Sequence, residues 1–110
     1  MSRQNQMSPT SSDTAEDVGS RTDDDVEEPP LYRVYLHNDD YTTMEFVVEV
    51  LMAVFSKPVE EASEIMFRVH REGVGLCGVY TYEVAETKVN TVHHLAEADG
   101  FPLKCSMERE

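Results

Sequence analysis

Four residues could do chemistry together. Asn38, Asp39 and Asp40 lie in one short polar stretch, and His70 borders an apolar stripe further on. A carboxylate and an imidazole suggest an acid/base pair. No nucleophile stands in a supporting context, however. There is no G-x-S-x-G elbow, and Cys77 and Cys105 both lie in apolar alternating runs, not in the polar, electropositive setting of a reactive thiol. Paired Asp residues in a turn are most often turn chemistry, because their side chains bond to nearby backbone N–H groups. Two acids and an amide in one turn do suit a small cationic or polar group. Metal binding has less support. His93 and His94 are adjacent, so on a helix their side chains diverge and read as surface residues. The two cysteines are too far apart for a metal-ligand pair and read as buried thiols.

Local elements must position these groups. Tyr32, Val34 and Leu36 alternate with Arg33, Tyr35 and His37, the pattern of a half-buried strand over about 31–37. Thr42 followed by Glu45 has the form of a capping box. It opens a helix from Thr43 to Phe55 with Val47, Val50, Leu51, Val54 and Phe55 on one face. Pro58 suits the first position of a second helix, where its missing N–H costs nothing. Val59, Ala62, Ile65, Met66 and Val69 form its apolar stripe, and Gly73 ends it. A strand over about 75–80 follows. Thr81 then caps a third helix that Gly100 ends, and a last strand covers 101–107. The order β-α-α-β-α-β predicts an α+β sandwich, three helices on one face of a small antiparallel three-stranded sheet. If the first two helices pack side by side, Met44, Val47, Met66 and Val69 can line one hollow, with Asn38, Asp39, Thr42 and His70 around its rim. Spacing alone favours ordinary core for those apolar residues.

Composition narrows the function. The chain has 110 residues, room for one domain, and a net charge of −13. Phosphate binding needs a basic surface, so nucleic acid is not an expected partner. No apolar run approaches the ~20 residues of a membrane span, and the start of the chain lacks a signal-peptide core. These features predict a cytoplasmic protein. Residues 1–30 carry Asp13, Glu16, Asp17, Asp23, Asp24, Asp25, Glu27 and Glu28 against Arg3 and Arg21, with no aromatic residue, Leu or Ile. Such a segment cannot bury enough apolar surface to offset its ordering entropy, so a disordered acidic extension is expected ahead of a domain over 31–110.

The stretch Leu36-His37-Asn38-Asp39-Asp40-Tyr41-Thr42-Thr43-Met44-Glu45-Phe46-Val47 resembles the V-N-D-D-Y-T-P-M-E-F-V signature of the ClpS family, adaptors of the Clp AAA+ protease. The resemblance continues through Ile65–His70, Cys77–Val89 and Pro102–Cys105, in collinear order over 31–108. It implies a binding module without catalysis, cofactor or metal. Such an adaptor, a monomer, binds substrates that begin with Leu, Phe, Tyr or Trp and passes them to a ClpA- or ClpC-type unfoldase feeding the ClpP peptidase. The match assigns Asn38, Asp39 and His70 to the substrate's α-amino group and Thr42 to its first peptide backbone. It assigns Met44, Val47, Met66, Val69 and Leu103 to the side-chain pocket, with Met44 as the gate against β-branched residues. Glu83 and Lys88 match unfoldase-docking positions. Two departures stand out. Thr43 replaces a Pro expected at the first helical position, and His37 replaces an apolar residue, which could alter rim polarity. The ribosomal stalk protein's C-terminal domain has a similar fold but lacks the Asn-Asp-Asp turn and the matching His, so those residues discriminate an adaptor from a structural module.

Overall fold

The computed structural model describes residues 28–110. Apart from Glu28, Pro29 and Pro30, the acidic extension expected over 1–30 lies outside the described residues. The elements are β1 (Leu31–His37), α1 (Met44–Ala53), α2 (Val59–Glu72), β2 (Val74–Thr81), α3 (Tyr82–Asp99) and β3 (Lys104–Arg109). The sheet order is β2-β1-β3, with both pairings antiparallel. Three helices and a three-stranded antiparallel sheet make the α+β fold that the sequence predicts.

β1 is central, and its alternation decides which face is covered. Val34 and Leu36 are fully buried, while Arg33, Tyr35 and His37 are only partly so. The inward side chains join one core with Phe46, Val50 and Leu51 of α1, Ala62, Ile65 and Val69 of α2, and Ala85, Val92 and Ala96 of α3. Cys77 and Cys105 are free, buried thiols in the same core. Burial pushes the Cys105 thiol up to about 12 and the Cys77 thiol higher still, so both stay protonated. One irregularity escapes sequence reading. Val34 pairs with Gly78 and Tyr35 with Leu76, so Cys77 is the extra residue of a β-bulge.

Several element ends differ from the sequence expectation, each for a local reason. The cap of α1 is Thr43, not Thr42: the Thr43 hydroxyl accepts from the Phe46 N–H at 3.1 Å. Thr42 is committed elsewhere, as described below. α1 stops at Ala53, and Ser56 adopts a left-handed φ of 57°, so Val54 and Phe55 stay buried without being helical. Pro58 is the residue before α2 rather than its first turn, and Val59 is exposed instead of joining the stripe. Thr81 holds the cap position of α3 without a side-chain hydrogen bond. β3 begins at Lys104 rather than Phe101. The Phe101 N–H is used to close α3 on the Ala96 carbonyl, and Pro102 has no N–H to give a ladder. His93, expected on the surface, is half-buried, and its Nε2 accepts from the Cys105 N–H at 3.0 Å. It anchors β3 to α3. His94 is exposed as expected.

Candidate functional site

The site forms where β1 ends and the first two helices come together. After His37 the strand breaks, and Asp39 folds back on the residues that follow it. One carboxylate oxygen accepts the Tyr41 and Thr42 backbone N–H groups, each at 2.8 Å. The other accepts the Thr42 hydroxyl at 2.7 Å. This Asx turn holds Thr42, through its N–H and its hydroxyl, inside the turn one residue ahead of the cap, and α1 starts after Thr43. Burial by itself pushes the Asp39 carboxyl up, but the hydrogen bonds from Thr42 and Tyr41 outweigh it and hold the group below its ordinary value. Asp39 is therefore an anion at neutral pH. A carboxylate offers about four lone-pair sites, and three are filled from within the turn. Roughly one is left for an outside donor.

The opposite wall comes from the end of α2. Gly73 closes that helix at φ 88°, and its carbonyl accepts the Asn38 N–H at 2.9 Å. That bond holds the β1–α1 turn against the last turn of α2, which carries Val69 and His70. Between them lies a cavity of about 270 Å³ lined by Asn38, Asp39, Asp40, Thr42, Met44, Val47, Met66, Val69 and His70. Val47, Met66 and Val69 are buried and form its apolar part. Met44, which also lines it, is 43% exposed. Drug-sized ligands occupy pockets of about 300–1,000 Å³, so this volume suits a single side chain.

Thus the structure brings together eight residues that the sequence grouped: Asn38, Asp39, Thr42, His70, Met44, Val47, Met66 and Val69. Leu103 is not with them. It is 4% exposed within the core and does not line the cavity. Asp40, to which the family resemblance assigns no role, also lines it. His37 points away from the rim, with Nε2 at 2.7 Å from the Ser106 hydroxyl on the neighbouring strand. Glu83 and Lys88 are remote from the cavity. Tyr82 packs edge-on against Tyr32 near the start of β1, while the cavity lies beyond its end. A seven-residue strand separates them by roughly 20 Å. Glu83 is exposed, but Lys88 is half-buried, and its Nζ donates to the Val54 carbonyl at 2.7 Å.

Residues 27–106 match the family model for "ATP-dependent Clp protease adaptor protein ClpS". The chain belongs to the ClpS family. ClpS proteins are adaptors by description, so this chain is not an enzyme. The ClpS of Desulforapulum autotrophicum is 62% identical over 97 residues, 84% of this chain and 93% of that protein. The ClpS of Desulfatibacillum aliphaticivorans is 60% identical over 104 residues, 94% of this chain and all of that protein. The solved structure of Agrobacterium tumefaciens ClpS2 bound to L-phenylalaninamide superposes with a TM-score of 0.73 at 41% identity, covering 76% of this chain and all of that one. Among the described residues of this ClpS chain, no helix is long and apolar enough to cross a membrane.

Proposed function

We propose that this ClpS adaptor reads the first residue of its substrates. It accepts Leu, Phe, Tyr or Trp bearing a free α-amino group, and delivers the bound protein to a ClpA- or ClpC-type unfoldase for degradation by ClpP in the cytoplasm. One observation carries the reading: an anionic Asp39 with about one open lone pair stands at the rim of an apolar cavity sized for one side chain. A free α-amino group has a pKa of about 7.7–8 and is mostly an ammonium at neutral pH. It carries three donors. Asp39, the Asn38 side-chain carbonyl and a His70 ring nitrogen are the acceptors we assign to it, from three residues that line one cavity. The neighbour from A. tumefaciens supports this, because L-phenylalaninamide joins a free α-amino group to a benzyl side chain.

Thr42 takes a definite polarity in this scheme. Its hydroxyl hydrogen is given to Asp39, so only its lone pairs remain. It serves the substrate backbone as an acceptor for an N–H, not as a donor to a carbonyl. The energetics require both features of the substrate. Hydrogen bonds to a charged group contribute about 1.5–3 kcal/mol, and burial of a Leu- or Phe-sized side chain about 1.5–3 kcal/mol. Neither alone reaches the roughly 8 kcal/mol of a micromolar complex. An internal Leu, with no amine, is rejected. Glu83 and Lys88, at the far end of β1, are the proposed unfoldase contacts, so that a loaded cavity stays clear of the docking face.

The test is a peptide array varying only the first residue, each peptide made with a free and with an acetylated amine. Binding of Leu, Phe, Tyr and Trp peptides should vanish on acetylation. Equal anisotropy for both forms would overturn amine recognition.

A further inference from the structure

Gly75 stands behind one wall of the cavity without lining it. It is the second residue of β2, buried, and pairs with Leu36 of β1. Among the described glycines, the left-handed ones are Gly73 and Gly100. Gly75 therefore matters for its missing side chain and not for its backbone freedom. A Cβ built on it would lie 2.6 Å from Val69 Cγ2, 3.5 Å from Ile65 Cγ2 and 3.4 Å from the Ile65 carbonyl. Real Cβ atoms essentially never come within 3.0 Å of another heavy atom in this way. So α2 rests on β2 more closely here than any side chain would permit. Of the two α2 side chains that meet Gly75, Val69 is the one that also lines the cavity.

We propose that Gly75 is a positioning residue for specificity. By letting Val69 settle onto β2, it gives the cavity its full depth and admits Tyr and Trp alongside Leu and Phe. The proposal rests on the reading of the cavity given above, and it adds what sets the ranking among first residues. Its physical basis is where a displaced Val69 can go. A valine on a helix keeps one strongly preferred rotamer, so rotating in place is the costlier escape. Val69 is 2% exposed, and the core around it is packed at the density of an organic crystal. The open space beside it is the cavity of about 270 Å³. A side chain at position 75 therefore drives Val69 towards the substrate. The volume lost is felt by first residues in order of size, Trp most and Leu least.

The test uses the full chain and four peptides that differ only in a first residue of Leu, Phe, Tyr or Trp. The readout is the ratio of Trp to Leu affinity, measured by anisotropy. In Gly75→Ala that ratio should fall roughly 10-fold, the lower end of what one methylene of misfit costs in an apolar pocket. Phe and Tyr should fall in between. A merely structural loss, in which α2 loosens and carries His70 with it, weakens all four peptides alike and leaves the ratio where it was. In Gly75→Ala/Val69→Ala the clashing methyl is gone, and the ratio should return to at least the wild-type value. Val69→Ala alone, with no clash to relieve, deepens the cavity and should raise the ratio above wild type. A wild-type ratio in Gly75→Ala, one that stays depressed in the double variant, or a fall in Val69→Ala would each overturn the role of Gly75 and leave amine recognition standing. Wild-type binding that survives acetylation of the peptides would overturn the reading of the cavity, and the role of Gly75 with it.

Discussion

The backbone N–H of Asn38 donates to the carbonyl of Gly73 at 2.9 Å, joining the residue after β1 to the residue that ends α2. This single bond sets the two halves of the site against each other. On one side stand Asp39 and Thr42, and on the other Val69 and His70. Gly73 can offer its carbonyl there because it turns the chain at φ 88°, a conformation that L side chains rarely adopt. The geometry of the cavity thus depends on a backbone turn outside its lining.

Gly73→Ala should test that dependence cleanly. A Cβ on Gly73 would meet nothing within 4 Å, so the substitution adds backbone strain without a clash. The left-handed conformation costs a non-glycine residue about 1–2 kcal/mol. Urea unfolding should show that loss for Ala and a smaller one for Asn, which tolerates this region better. Affinity for a Phe-initiated peptide should fall in parallel. Wild-type stability in the Ala variant would show that the turn relaxes freely.

Gly75→Ala acts by a different route. An added Cβ would sit 2.6 Å from Val69 Cγ2 and 3.4 Å from the Ile65 carbonyl. Val69 is 2% exposed and lines the cavity, so it must rotate or α2 must shift. Overpacking of this kind costs about 1–3 kcal/mol. A double-mutant cycle with Val69→Ala, which removes the clashing methyl, should show the pair costing less than the sum by roughly 0.5–3 kcal/mol. Strict additivity would locate the strain elsewhere.

The two glycines also mark what a sequence conveys. Gly73 was legible as a helix end because a single residue type signals the left-handed turn. Gly75 was not, because its role is a distance between β2 and α2 that no local pattern encodes. The same division runs through the site. Asn38, Asp39, Thr42 and His70 could be set around a hollow of Met44, Val47, Met66 and Val69 only by supposing that the first two helices pack side by side; spacing alone favoured ordinary core for the apolar four, and the family resemblance assigned the roles. The direction of the Thr42 hydroxyl could not be read, since Thr42 and Thr43 are both competent caps and only the Asx turn of Asp39 decides between them. Leu103 follows the motif in sequence but is drawn into the core beyond the lining. The Cys77 bulge and the His93 anchor depend on partners in other elements, β1 and β3, that no local pattern names.

Acid titration should expose the Asp39 network. Its carboxyl lies below the ordinary value of 3.8 in the folded state, because the bonds from Thr42 and Tyr41 outweigh burial. Near and below 3.8 the unfolded chain therefore holds the proton more tightly than the folded chain. Stability from this group is fully present above that value and is lost as pH falls through the lower, folded one. The gap in unfolding free energy between wild type and Asp39→Asn should be constant from about pH 7 to 5 and close progressively below about pH 4. A gap independent of pH would mean that the carboxylate's charge plays no part in holding the turn.

Lys88→Met should separate structure from docking at the far end of the fold. α1 has no basic residue in its last turn, yet its C-terminal end presents unsatisfied carbonyls and the negative pole of the helix dipole. Lys88 reaches over from α3 to supply the cation. Its Nζ donates to the Val54 carbonyl and lies 5.8 Å from the Phe55 ring centroid and 5.1 Å from that of Tyr80. A charged hydrogen bond at a half-buried position contributes about 1–2 kcal/mol, and cation–π contact adds some tenths. Met keeps most of the stem and removes only the charge. The variant should lose about 1–2 kcal/mol in urea unfolding. Peptide affinity should stay within about twofold, because the cavity lies at the opposite end of α1, some 15 Å away. Glu83→Gln, exposed and unbonded among the described residues, should leave stability unchanged. If both variants weaken unfoldase binding but only Lys88→Met lowers stability, Glu83 is a docking contact alone, whereas Lys88 also braces the end of the helix that carries Met44. Unaltered stability in Lys88→Met would reduce Lys88 to the docking role.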